Sequence, residues 1–355
     1  MVIYVTNIIL MLFWHEVLNL QRSRIGVKNS KKTFCIIAAL QWILISGLRG
    51  LSVGADTKNY KYDFQIVSSR TWSSLIKSFN EIIFGDVSGK DPGYKLLEKA
   101  FQVFSDNYQM WLMFIAIIFM VPMAIWIYKR SEDALMSFLI YSCLFASFFS
   151  ITGHRQTIAT AFVVFVGDFL IKKRKFIPFL LIVLAMSTVH KSCLLFLPFY
   201  FLYNRKITAS YIIVIIVMAS VAFIFQDSFM EFLAETSGYE DYSRHEGAGA
   251  YTFSIMILLI MIAALWRMRI ILEEHPEASA SYNALMLALV FLPLTFVNPN
   301  TMRVVQYFSI YLMIVVPYIL HSFKGRQRAY ITLAVIAILL FLHFKTPRYY
   351  EFFWQ

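Results

Sequence analysis

Residues 109–128 read QMWLMFIAIIFMVPMAIWIY, with no charged side chain anywhere in the run. At about 1.5 Å of rise per residue, a helix of this length crosses the roughly 30 Å hydrocarbon layer of a bilayer. Similar apolar runs recur along the chain, and together they decide the fold. Of the 355 residues, 59% are hydrophobic and 15% charged, with a mean hydropathy of +0.64; soluble domains carry about 25% charged residues. The reading is an all-α, polytopic helix bundle forming one integral membrane domain over residues 1–355. Eleven to twelve spans are expected, at 2–20, 33–48, 109–128, 134–150, 155–171, 176–189, 192–203, 207–226, 251–268, 280–297, 303–321 and 329–344. The segment from Met1 to Leu20 is expected to span rather than to be a cleaved signal, since it has no basic leader and no small-residue cleavage site.

A net charge of +11 suggests topology here, not nucleic acid. Of 32 Lys and Arg, 18 fall in alternate short connections, at 22–32, 129–130, 172–175, 205–206, 267–269 and 324–328. The positive-inside rule puts those turns in the cytoplasm. Both termini and the 49–108 loop are then expected outside, with a second outer loop at 227–250. Cys35, Cys143 and Cys193 all lie in apolar runs, so buried thiols are expected, with no disulfide framework or metal site.

The 49–108 loop has its own helical pattern. Trp72, Leu75, Ile76, Phe79, Ile82 and Ile83 share one helical face. A second helix is expected from Asp91-Pro92, a cap residue followed by proline, with Leu96, Leu97, Ala100, Phe101 and Phe104 on its apolar face. Two amphipathic helices beside spans read as interfacial helices on the outer leaflet, or as a lid packed on the bundle.

With this topology, polar residues gather at the outer edge. Arg49, Asp56 and Tyr60 follow the second span, and Asp91 and Tyr94 open the second loop helix. His154-Arg155-Gln156 and His190-Lys191 lie in tight turns, and Arg303 starts the eleventh span. Ionisable groups at membrane depth are costly and point to function. Arg303 stands near a helix N-terminus, where the dipole disfavours a cation, so an anionic partner is expected. Arg49 ends a helix, where a cation is welcome for structural reasons alone. Arg244, His245 and Glu246 read as a solvated loop, Asp168 as a local partner of the Lys172–Lys175 cluster, and His15 and Glu16 as structural. Arginines suit phosphate through paired charge-assisted hydrogen bonds, while His190, Asp56, Asp91 and His154 are candidate general bases. An outer cavity lined by Arg155, Lys191 and Arg303 is expected. Gly85–Lys90 lacks the spacing of a P-loop, and no DxD motif indicates nucleotide-sugar chemistry.

Arg49, then Gly54-Ala55-Asp56-Thr57 with Tyr60, Asp91-Pro92-Gly93-Tyr94, His154-Arg155-Gln156, Ala185 with His190-Lys191-Ser192 and Leu197-Pro198, and Met302-Arg303 with Tyr307-Phe308 resemble the EpsG family of bacterial exopolysaccharide and capsule proteins. His154 stands where that family usually has Asn, and Asp91-Pro92 where it has Glu. The resemblance implies a GT-C-like, Wzy-type polymerase that works without metal or nucleotide. It would join oligosaccharide units carried on undecaprenyl diphosphate at the outer face of the cytoplasmic membrane. Its catalytic residues would come from His190, Asp56, Asp91 and His154. Its binding residues would be Arg49, Tyr60, Tyr94, Arg155, Gln156, Lys191 and Arg303, and a flippase and a chain-length regulator would be its partners. A lipid-linked oligosaccharide flippase and a glycan acyltransferase are the alternatives. Flippases put binding groups near the midplane in repeated halves, and no repeat is seen here.

Overall fold

The computed structural model describes residues 1–355 except 86, 238–250 and 346–347, and no side chains at 232–237. The Arg244-His245-Glu246 cluster lies outside the described residues. All the regular elements among them are helical; one isolated antiparallel bridge joins Arg49 to Phe352.

Helix covers each of the twelve expected spans, but not as twelve regular rods. Among the described residues, four helices are long and apolar enough to cross a membrane: Val2–Leu20, Tyr108–Arg130, Tyr251–Glu274 and Gly325–Lys345. A fifth crossing arises if Pro299–Ser309 and Leu312–His321, bent by 52°, count as one. The expectation of eleven to twelve spans is corrected to that extent. This is a multi-pass membrane protein whose other apolar segments are short or interrupted. Ala134–Ile140 runs into π-helical stretches at Tyr141–Phe145 and Ser147–Thr152, and His154–Thr160 into another at Ala161–Val166. Phe176–Ser187 is followed by a 3-10 segment, Lys191–Phe196. π turns leave carbonyls offset from their helical partners, and side chains take them up. Arg348 donates to the Ser142 and Cys143 carbonyls at 3.3 and 3.1 Å, and Ser46 Oγ to Ser150 O at 2.6 Å.

The connections sort into two ends. At one end the basic turns meet. Lys31 Nζ donates to Ser131 O at 2.5 Å, Tyr318 Oη to Arg130 O at 3.1 Å, and Asn283 Nδ2 to Arg205 O at 2.9 Å. Asp168 lies near this end, inside the bundle. Its partner is Arg130, at 2.8 Å from Nε and 2.5 Å from Nη2, and not the Lys172–Lys175 cluster. Tyr203 donates to Asp168 Oδ1 at 2.9 Å and accepts from Arg130, and Tyr311 donates to the same carboxylate oxygen at 3.4 Å. A buried carboxylate needs a cation, and a guanidinium from the facing helix reaches deeper than flexible lysines at the surface.

The opposite end carries the loop after the Val27–Gly47 helix. It holds three helices where two were expected: Thr57–Ser69, Trp72–Phe84 and Pro92–Gln102. Trp72–Phe84 buries Leu75 and exposes Trp72, Ile76, Ile83 and Phe84, as an interfacial helix would. Pro92–Gln102 does not follow that pattern, which corrects the pair of interfacial helices. It packs inward through Tyr94 and Glu98, while Ala100 and Phe104 are exposed. Tyr60, Phe64, Tyr94, Tyr108 and Trp111 form the aromatic cluster that seats Thr57–Ser69 and Pro92–Gln102 on the bundle.

Removing one member of the Arg130–Asp168 pair leaves a buried charge without its counter-ion, which costs on the order of 3–5 kcal/mol. Asp168→Asn and Arg130→Met are each expected to lower the thermal unfolding midpoint of the purified protein sharply. The double variant Arg130→Met/Asp168→Leu should recover much of the loss.

Candidate functional site

Asp91 is the residue around which the site end is assembled. It stands before Pro92 with φ +48°, the left-handed region, and its side chain makes no cap for the helix that follows, contrary to the capping role its position suggests. Its carboxylate instead faces the bundle. Oδ2 accepts from Arg155 Nη1 at 2.7 Å, His190 Nδ1 stands 3.8 Å from Oδ2, and Lys191 donates its backbone N–H to Oδ1 at 3.4 Å. Two tight turns, 153–156 and 188–191, are thereby held to the outer loop.

Gly93 makes that approach possible. Its N–H donates to Thr188 O at 2.8 Å, and a Cβ there would lie 2.8 Å from Thr188 Cβ and 3.0 Å from its backbone carbon. Gly54 has φ +95°, and a Cβ would lie 2.8 Å from the Ile151 carbonyl oxygen. Backbone meets backbone at both points, so glycine is needed.

A cavity of about 280 Å³ opens beside this knot. Asp56, Asn59, Tyr60 and Asp63 line one wall, with Lys90. Gly153, Arg155, Gln156, His190, Asn300, Arg303 and Phe148 supply the rest. Gln156 Nε2 donates to Arg303 O at 2.6 Å, tying the two arginine-bearing segments together. Asn298 accepts from the Asn300 N–H at 2.9 Å and shapes the turn that presents Arg303. Arg155 Nε donates to Tyr60 Oη at 3.3 Å.

Six of the residues expected at the site thus line one cavity: Asp56, Tyr60, Arg155, Gln156, His190 and Arg303. Asp91 lies directly behind Arg155 and His190. Lys191 is exposed and does not line the cavity, so the expected trio of cations becomes Lys90, Arg155 and Arg303. Arg49, Tyr94 and His154 are buried behind the wall. Arg49 caps the carbonyl end of its helix at Ser46 O, and its Nη2 stands 2.7 Å from His154 Nε2. His154 stacks on Tyr60 at 4.2 Å and an interplanar angle of 15°.

His190 titrates below its ordinary value of 6.5. Burial is the main cause, and Arg155 and Arg303 add to it, while Asp91 opposes it. The neutral imidazole that accepts a proton is therefore favoured, first by burial and then by the two cavity arginines. Asn59 and Asp63 were missed because the helix Thr57–Ser69 was missed. The signal is present: positions 56, 59, 60 and 63 repeat at helical spacing and place Asp, Asn, Tyr and Asp on one face.

The EpsG family model matches residues 32–354, nearly the whole chain, and the chain belongs to this family. No curated protein and no solved structure matches it significantly.

Gly93→Ala forces the outer-loop helix away from Thr188. A cost of about 1–3 kcal/mol is expected from overpacking, read as a lowered thermal midpoint. Pro92→Ala, which adds no atom at this contact, should cost less.

Proposed function

We propose that this protein is a polysaccharide polymerase. It joins lipid-diphosphate-linked oligosaccharide units, on undecaprenyl or a related polyprenyl carrier, at the outer face of the bacterial cytoplasmic membrane. Membership of the EpsG family suggests an exopolysaccharide-related polymerase. The observation that carries the finer reading is that Arg155 and Arg303 share one cavity with His190, which is backed by a carboxylate. The alternate connections that carry 18 of the 32 Lys and Arg are cytoplasmic by the positive-inside rule, which favours an outward-facing site.

The chemistry follows from the residue types. In the transfer, the acceptor hydroxyl oxygen bonds to the anomeric carbon as that carbon's bond to the diphosphate oxygen breaks. The electron pair leaves with the lipid diphosphate, and the hydroxyl proton goes to the base. Arg155 and Arg303, with Lys90 at the rim, stabilise the departing anion through charge-assisted hydrogen bonds. His190 takes the proton through the ring nitrogen turned from Asp91, and the Asp91 carboxylate stabilises the imidazolium that forms. Asp56, Asn59 and Asp63 offer hydrogen-bond partners for sugar hydroxyls, and Asp56 is the alternative base. A flippase would place its binding groups nearer the midplane, and a glycan acyltransferase, which would also use a His, would need an acyl-donor path from the cytoplasm.

Purified protein reconstituted with lipid-linked repeat units should lengthen glycans. Translocation without lengthening would mark a flippase, and ester formation an acyltransferase. Arg155→Lys keeps charge but loses the two-pronged contact, and Arg303→Ala loses the charge. Each should reduce polymerisation about tenfold to a hundredfold, the worth of one charge-assisted phosphate contact.

The pH profile supplies a separate test. A base must be neutral, and a lowered pKa keeps it neutral as pH falls through 6.5, so the acidic loss of activity is expected below that value. Arg303→Ala removes a depressing charge and should move the acid limb upward. An active His190→Ala enzyme beside an inactive Asp56→Asn enzyme would transfer the role of base to Asp56.

A further inference from the structure

Glu98 has no role in the chemistry above, yet it is buried to 0% exposure on the inner face of the helix Pro92–Gln102. Neither carboxyl oxygen meets a partner at ordinary hydrogen-bond geometry among the described residues, and Tyr94, one turn earlier, is buried on the same face of the helix. A glutamate in an aromatic cluster is costly, and burial pushes its pKa up to about 8.

The hydrogen bonds around it have a forced direction. Arginine has donors and no acceptor, so at the 2.7 Å contact Arg49 donates to His154 Nε2. The imidazole proton is then on Nδ1, which stands 3.5 Å from Tyr94 Oη and donates to it. Trp111 Nε1, which can only donate, gives a second bond to Tyr94 Oη at 3.3 Å. Both acceptor positions of the tyrosine oxygen are filled, so its own O–H must point to a third group. We propose that Glu98 is that group, a positioning residue at the end of a one-directional chain from Arg49 through His154 and Tyr94, and that this chain holds the site's inner wall. The proposal rests on the functional reading above. The wall matters because His154 stacks on Tyr60 and Tyr60 takes the Arg155 Nε–H, so the tilt of the imidazole sets where the guanidinium lies. A carboxyl offers an acceptor oxygen in either protonation state, as does a glutamine, whereas a methionine of similar size leaves the tyrosine O–H stranded.

The test uses the full chain with Glu98→Gln, Glu98→Met, Tyr94→Phe and the Tyr94→Phe/Glu98→Met double variant. Two readouts are taken: polymerisation of lipid-linked repeat units, and the hydroxyl-donor signature of Tyr94 in ultraviolet resonance Raman difference spectra against Tyr94→Phe. Glu98→Gln should keep the donor signature and stay within about threefold of wild-type activity, because its amide oxygen still accepts. Glu98→Met should lose the signature and about tenfold or more in activity, as expected for one stranded buried donor. It should cost nothing further in the Tyr94→Phe background. A Glu98→Met protein with both signature and activity intact overturns the proposal, and so does a Glu98→Gln protein that loses the signature. If the wild type does not polymerise, the functional reading is what has failed, and the Raman arm still decides the chain.

Discussion

The Asp91 carboxylate is the constraint on which this end of the molecule depends. Three segments far apart in sequence, the outer loop, the 153–156 turn and the 188–191 turn, meet at its two oxygens. The cost is local. A non-glycine residue in the left-handed region gives up about 1–2 kcal/mol, and a carboxylate out of water gives up more unless it is paired. Arg155 supplies the pair, and Gly93 supplies the clearance that lets the loop reach it. The backbone strain and the buried charge are thus both held by contacts that also set the cavity's shape.

Breaks in the helices serve the same end. A straight apolar rod satisfies every backbone group internally and presents none to a ligand. Here the spans entering the site are interrupted by π turns, by the 3-10 segment after His190, and by the 52° bend below Arg303. The π turns free backbone groups that side chains then take up, as Ser46 does with the Ser150 carbonyl and Arg348 with those of Ser142 and Cys143. Regular spans such as Tyr108–Arg130 contribute packing instead, through Trp111 and Trp126.

The sequence alone made the helical class legible, because apolar length is a property of composition and needs no partner. It also made most of the cavity's cationic and imidazole residues legible, because charged groups beside apolar runs stand out. It did not reveal which of them would meet. Asp91 looked like a helix cap, since capping is a local rule, whereas its partners lie 64 and 99 positions further along the chain. Lys191 looked equivalent to Arg155, yet one residue of rotation separates a lining side chain from an exposed one. Glu98 drew no notice because glutamate on an amphipathic helix ordinarily faces water. Its burial comes from the aromatic cluster beneath it, which only the tertiary packing assembles.

Among the described residues, Arg130 with Asp168 and Arg155 with Asp91 each pair an arginine with a buried aspartate, and their contrast separates a bolt from a site. Around Asp168 the carboxylate is fully engaged by Arg130 and by side-chain hydroxyls. Two tyrosine hydroxyls complete the carboxylate, and the side chains are exposed by only 8% and 2%. Asp91 is equally buried at 2%, but Arg155 keeps 30% of its side chain open, and the opening faces the cavity shared with Arg303 and His190. A guanidinium has five donors, so one can anchor on a carboxylate while others remain for an anion. The first pair neutralises itself inside the bundle. The second uses its carboxylate to hold a half-exposed arginine and a buried histidine against the wall of one cavity.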